Sequence, residues 1–157
     1  MLAIARALLQ KARERYERER QPEVIRDASV FFARITRDRY LRILAPPGEP
    51  TLDVLDRNER RMHLDQLSSG TKEQLYFAVR LGLIRELSKH QESLPVVMDD
   101  IFANFDPDRA LAAMDAVLEL ARTHQVLVFT CHPETCQLVT NAARSTPLFN
   151  LRDGDIV

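Results

Sequence analysis

"LPVVMDDIFANFD", residues 94 to 106, joins a short apolar run to two adjacent carboxylates. Val96, Val97 and Met98 follow Pro95 with no polar alternation, the pattern of a strand buried on both faces of a parallel sheet. Asp99 and Asp100 then stand at its C-terminal edge, where α/β proteins bind ligands. Downstream, Asp106 suits a helix cap and Pro107 the first helical position, with Leu111, Met114, Leu118 and Ala121 as the expected buried face. "QVLVFT", residues 125 to 130, reads as a second buried strand, a helix starts near Pro133, and "PLFNL" with "RDGD" reads as a last strand and turn. Alternating strand and helix implies right-handed crossovers around a parallel sheet, an α/β core.

The first half has other periods. Leu2, Ala5, Leu9, Ala12 and Tyr16 recur at spacings of three and four, an a/d seam that fits a coiled coil or a helix pressed on a partner. Two heptads do not stand alone, so residues 1–21 read as the stump of a longer coil or a linker helix. Pro22 restarts the helix, with Ile25, Ala28, Phe32 and Ile35 on one stripe. "YLRIL", "TLDVLD" and "RRMHLDQL" alternate as short strands around "APPGEP" and "RNE" turns, a small antiparallel meander. From Leu75 to about His90 the pattern is helical.

Composition fits one globular domain with a core. The chain has 157 residues, 45% hydrophobic and 29% charged, which excludes a disordered chain. No stretch approaches the roughly 18 apolar residues of a membrane span, and Met1–Lys11 carries no small-residue cleavage site, so the expectation is a cytoplasmic protein without membrane contact. Cys131 and Cys136 are the two cysteines, which excludes a disulfide framework. With His132 between them a metal site is conceivable, but no further ligand cluster is visible along the chain to complete it, and zinc and redox chemistry are set aside. Residues 1–42 hold eleven Lys/Arg against six Asp/Glu, and the remainder eleven against seventeen. A basic helix of this kind can track phosphates, although interleaved "RERYERER" equally suits the solvated face of a long helix.

Three places could carry chemistry. Ser68, Ser69 and Gly70 open a helix, where free N–H groups and the helix dipole favour an anion; Thr71 with Gln74 has the spacing of a capping box, which is a purely structural use of the same residues. Asp99 and Asp100 could hold Mg²⁺ and orient an attacking water, or be solvated turn residues. His132, directly after "QVLVFT", would project beside Asp100 and could bond a terminal phosphate, or cap the Pro133 helix.

In combination, "LSSGTKEQ", "LPVVMDD", "NFD" and "FTCH" resemble the C-terminal half of an ABC-type ATPase head, in its SMC and double-strand-break-repair branch and within it the bacterial YhaN-like proteins. The resemblance covers residues 22–157. It implies a partial P-loop NTPase fold, a C-terminal head lobe with a mostly parallel sheet flanked by helices, a small antiparallel segment and a coiled-coil stump. It further implies ATP and Mg²⁺ as cofactors. "LSSGT" matches the signature motif, so Ser68, Ser69 and Gly70 would face the γ-phosphate of ATP held by a second head. "VVMDD" matches Walker B, with Asp99 supporting Mg²⁺ and Asp100 at the catalytic carboxylate. "ANFD" matches the D-loop, with Asn104 and Asp106 at a dimer seam, and His132 matches the switch histidine.

Two departures stand out. The resembled family usually has glutamate at the position of Asp100, and the shorter side chain changes its reach to water. No G-x-x-x-x-G-K-[ST] occurs, so the phosphate-cradling loop and lysine are missing from this sequence. The expected function is therefore half of an SMC-like head, completed by a Walker A-containing N-terminal lobe and paired with a second head as a homodimer. The resemblance implies ATP-driven clamping of DNA in repair or chromosome maintenance. The alternative is a non-catalytic interaction module that keeps the same dimer surface.

Overall fold

The computed structural model describes residues 22–46, 48–89, 92–153 and 155–156. The heptad seam expected over Leu2–Tyr16, and with it the whole segment 1–21, lies outside them. The chain divides between Glu92 and Ser93 into two compact units.

In the first unit, helix α1 (Glu23–Ile35) follows Pro22 and buries Ile25, Ala28, Phe31, Phe32 and Ile35. The stripe read from the sequence is thus the buried face, joined by Phe31. Arg37 and Asp38, both at positive φ, turn the chain into β1 (Tyr40–Leu44). Ser29 fastens helix to strand: its hydroxyl donates to the Ile25 carbonyl at 2.7 Å and accepts the Ile43 N–H at 2.9 Å. Phe32 stacks on Tyr40 with centroids 5.4 Å apart. Strand β1 pairs antiparallel with β2 (Asp53–Asp56), and β2 with β3 (Arg61–His63), in the order β1-β2-β3. The expected meander forms, but its third strand stops at His63. Leu64–Gln66 instead form a 3-10 turn, because the Gln66 side chain accepts the His63 N–H at 2.8 Å and closes the backbone.

Helix α2 (Ser69–Ser88) starts six residues before Leu75. Its cap is Ser68, whose hydroxyl accepts the Thr71 N–H at 3.3 Å, so the pairing of Thr71 with Gln74 as a capping box is not formed. The apolar period alone begins at Leu75, but the helix opens at the Ser68–Gly70 segment, as those residues suggest, with the Ser68 hydroxyl setting the start. Helices α1 and α2 pack so closely at Gly82 that an added Cβ would lie 2.5 Å from the Val24 carbonyl oxygen and 2.8 Å from the Ala28 nitrogen. At the edge of this contact Arg85 lies over the Phe31 ring at 4.3 Å. Lys89 donates to Glu23 at 2.6 Å and Glu86 at 2.7 Å, and these carboxylates push its pKa up.

In the second unit, β4 (Val96–Asp99) pairs in parallel with β5 (Val126–Phe129), Met98 opposite Val128 and Asp99 opposite Phe129. Helix α3 (Pro107–Leu120) connects them, and α4 (Pro133–Ala142) follows β5. Asp106 caps α3 as expected, accepting the Arg109 N–H at 3.0 Å, with Pro107 in the first turn. Helix α3 buries Ala110, Ala112, Ala113, Met114, Ala116, Val117 and Leu120; of the expected face Met114 is buried, whereas Leu111, Leu118 and Ala121 are not. Leu111 is left exposed. Strand β4 is not buried on both faces: Val97 is 64% exposed, as are Leu127 (41%) and Phe129 (44%) on the same side of β5. "PLFNL" is a strand only at its end. Strand β6 (Leu151–Arg152) makes a two-residue hairpin with β7 (Asp155–Ile156), while Leu148 and Phe149 are exposed.

The Gly82 contact yields a test. Gly82→Ala forces backbone apart rather than a flexible side chain, so it should destabilise the protein by about 1–3 kcal/mol despite the better helix propensity of alanine. Urea unfolding measures the loss, and an unchanged or raised midpoint would show that the helices can yield.

Candidate functional site

The chemistry-bearing residues of the second unit meet at the C-terminal ends of β4 and β5. The Asp100 N–H donates to the Phe129 carbonyl at 3.0 Å, extending the ladder one residue past β4. There the backbone turns left-handed, with φ of 44° at Asp100. For a residue with a Cβ this conformation costs on the order of 1 kcal/mol, and Asp bears it better than most. What holds it is a set of donors from the segment after β5. Thr130 Oγ1 donates to Asp100 Oδ1 at 2.7 Å, the Cys131 N–H donates to the same oxygen at 3.3 Å, and the Cys131 thiol donates to Oδ2 at 3.6 Å.

These bonds set the local acidity. The Thr130 hydroxyl first, then the Cys131 backbone and thiol, stabilise the charged carboxylate and hold the Asp100 pKa below its usual value, with His132 adding a smaller effect. In return, the negative charge of Asp100 pushes the Cys131 thiol pKa up. Asp100 is thus a weak proton acceptor and a well-oriented anion.

His132 stands next to this carboxylate. Its backbone N–H donates to Thr130 Oγ1 at 3.1 Å, so one threonine positions both Asp100 and His132. His132 is the cap residue of α4 by position, yet its side chain makes no capping bond. The imidazole therefore stays half-buried at the sheet edge, Nδ1 3.6 Å from Glu134 Oε1. One donor atom each from Asp100, Cys131 and His132 fall within 4.8 Å of one another. Asp99, the last residue of β4, is exposed, and its side chain has no hydrogen bond or ion pair among the described residues, which leaves a carboxylate able to take an oxygen-seeking cation. Asp106 is engaged in its cap and in an ion pair with Arg109 at 3.0 Å, and Asn104 is exposed in the turn before it.

The first unit carries the other motif. Ser68 and Ser69 are exposed at the start of α2, Gly70 is half-buried, and the Ser68 hydroxyl also lies 2.8 Å from Thr71 Oγ1. Just upstream is a cluster that sequence reasoning missed. Asp53, 1% exposed, accepts Arg61 Nε at 2.7 Å and His63 Nδ1 at 2.7 Å. Because β2 and β3 pair Asp53 with His63, this clasp fixes the strand that leads directly into the 3-10 turn and Ser68. Its only trace in the sequence is an acid in the first strand position of "TLDVLD". Thr130 was likewise unassigned, although it lies inside the quoted "FTCH", and Cys131 was weighed only as a metal ligand that was then set aside.

No family model matches the chain. Its sequence is 29% identical to the uncharacterized protein YhaN of Bacillus subtilis over 152 residues, 96% of this chain but 15% of that protein. A shorter match, 36% identical over 77 residues and 48% of this chain, is to 9% of an uncharacterized protein of Mycobacterium tuberculosis. The chain thus spans a small part of the curated relatives it matches. Among solved structures it is similar to the SMC head domain of Thermotoga maritima, with a TM-score of 0.61 and 19% identity over 94% of this chain and 51% of that one. An SMC ATPase described by its ATP-driven dimerization and DNA-stimulated activation gives 0.64 and 17%, over 86% and 81%. An Smc head bound to the C-winged helix domain of ScpA gives 0.63 and 17%, over 86% and 41%. The chain therefore has the α/β fold seen in these SMC head domains. Its sequence resemblance within that class is to YhaN. Among the described residues no helix is long and apolar enough to cross a membrane.

Two measurements check the geometry. Thr130→Val keeps the side-chain shape but removes the main donor to Asp100, so its pKa should return toward 3.8 in a carboxyl NMR titration. Since the folded-state pKa is lowered, the stability this carboxylate contributes is present above its unfolded pKa and lost as pH falls through the folded one; the variant should lose less of it. Arg61→Leu leaves the buried Asp53 facing His63 alone and should cost about 2–3 kcal/mol in urea unfolding, below the range for fully buried pairs because Arg61 is partly solvated.

Proposed function

We propose that this chain is the C-terminal half of an SMC-like ATP-hydrolysing head, completed by a lobe that carries a Walker A loop and active when two completed heads close on ATP. The observation that carries this reading is the convergence of Asp99, Asp100 and His132 at one sheet edge, in a chain with the SMC head fold. In this reading Asp99 holds Mg²⁺, which neutralises charge on the phosphates, and the exposed signature serines and Gly70 present hydroxyls and N–H groups to the nucleotide of the opposite head.

Asp100 orients the attacking water. Its lowered pKa makes it a poor sink for a full proton but a stable acceptor for the water's hydrogen bond, which suits a loose phosphoryl-transfer transition state needing position more than basicity. His132, freed from capping, donates to the terminal phosphate. Asn104 and Asp106 line the seam between heads. The open face of Val97, Leu127 and Phe129 supports the need for a completing lobe, since apolar strand residues of this size are normally covered. By likeness to SMC proteins, the assembled molecule clamps DNA in repair or chromosome maintenance, in the cytoplasm.

The competing reading is a non-catalytic interaction module. It draws on the same carboxylate, already held by three donors and one methylene shorter than the glutamate of the resembled family.

Reconstitution separates the two. The chain alone should bind nucleotide feebly; with a phosphate-loop lobe it should hydrolyse ATP in the presence of Mg²⁺. Asp100→Asn should then reduce the rate by roughly 100-fold or more, and Ser68→Arg should block it by obstructing the opposite nucleotide. Hydrolysis unaffected by both changes would refute the shared site, and tight ATP binding without turnover would favour the module.

A further inference from the structure

We propose that Asp100, Cys131 and His132 together form a binding site for a thiophilic divalent cation of the Zn²⁺ class at the ends of β4 and β5. The sequence shows the thiol and the imidazole side by side; parallel pairing supplies the missing oxygen ligand from thirty residues upstream.

The donor set is one sulfur, one nitrogen and one oxygen, all within 4.8 Å of one another. That combination suits zinc, whereas Mg²⁺ takes oxygen ligands in octahedral geometry and has little use for a thiolate. The spacing agrees. With metal–sulfur and metal–oxygen bonds of about 2.3 and 2.0 Å, a tetrahedral edge between the two ligands is about 3.5 Å; Cys131 Sγ and Asp100 Oδ2 stand 3.6 Å apart. Three protein ligands at a partly exposed site leave the fourth position to water.

The surrounding groups are those that orient metal ligands. Thr130 holds the outer oxygen of Asp100 at 2.7 Å, leaving Oδ2 toward the sulfur. Glu134 faces His132 Nδ1 at 3.6 Å, so ligation through Nε2 places the Nδ1 hydrogen toward a carboxylate. On binding, the metal–sulfur bond replaces the Cys131 S–H bond and the proton passes to water; no electron moves.

Asp99 remains outside the set, so the Mg²⁺ position of the proposed function is a different one. If that function holds, an ion here removes Asp100 and His132 from water and phosphate together, and Zn²⁺ acts as its inhibitor; this regulatory consequence rests on the ATPase reading, the site itself does not.

The test uses Co²⁺ as a spectroscopic stand-in, with the 157-residue chain and no nucleotide. Titration should give one equivalent of tetrahedral Co²⁺ with a thiolate charge-transfer band, displaced by Zn²⁺ and unaffected by excess Mg²⁺. Cys131→Ser should abolish the band and Cys136→Ser should keep it. Asp100→Asn and His132→Ala should each weaken binding about tenfold or more, as losing a ligand costs at least what losing its outer partner does. No band in the wild-type chain, or a band that survives Cys131→Ser or vanishes with Cys136→Ser, would overturn the site. Circular dichroism of each variant checks folding, and the wild-type titration decides even if one variant does not fold. Because no nucleotide is involved, failure here leaves the ATPase reading standing, and failure of that reading leaves the metal site standing.

Discussion

The parallel pairing of β4 with β5 is the constraint on which the candidate site of this protein rests. It sets Asp99 against Phe129 and gives the next residue, Asp100, one more backbone bond to Phe129 before the chain turns. A slip of one residue would send Met98 from the core to the open face and move Asp100 away from Thr130. The strand register therefore stands in for proximity in sequence, which these groups lack. Once it is fixed, the threonine hydroxyl completes the arrangement by holding the carboxylate and the backbone of His132 at once.

The unit that carries Ser68 and Ser69 rests on a different contact, helix against helix without a side chain between them. Gly82 brings α2 onto the backbone of α1 around Val24 and Ala28, and Ser29 and Phe32 carry that packing on to β1. The Asp53 clasp then locks β2 to β3 and delivers the chain into the 3-10 turn ahead of Ser68. Local choices agree from one level to the next, which is what makes a short, exposed, hydroxyl-rich helix start well defined.

Much of this is legible in the residues themselves. Apolar spacing locates α1, the meander and both parallel strands, and Asp106 with Pro107 marks the start of α3 because cap chemistry is local. What periodicity does not contain is the choice between near-equivalent faces. Helix α3 buries Ala110, Ala113 and Val117 along with the expected Met114, while Leu111 is exposed and Leu118 only half-buried, a choice of face that apolar spacing alone leaves open. Nor does it contain the left-handed turn at Asp100, which depends on donors thirty residues away. The group of Asp100, Cys131 and His132 was half visible, as an adjacent thiol and imidazole, and became a three-donor set only through strand pairing.

The uncovered side of the parallel pair has a consequence of its own. Val97, Leu127 and Phe129 line up as an adhesive strip on two strands whose outer edges have no strand partner among the described residues, a surface that favours association at high protein concentration. Whatever shields that strip from water also removes the surface through which copies would otherwise stick to one another.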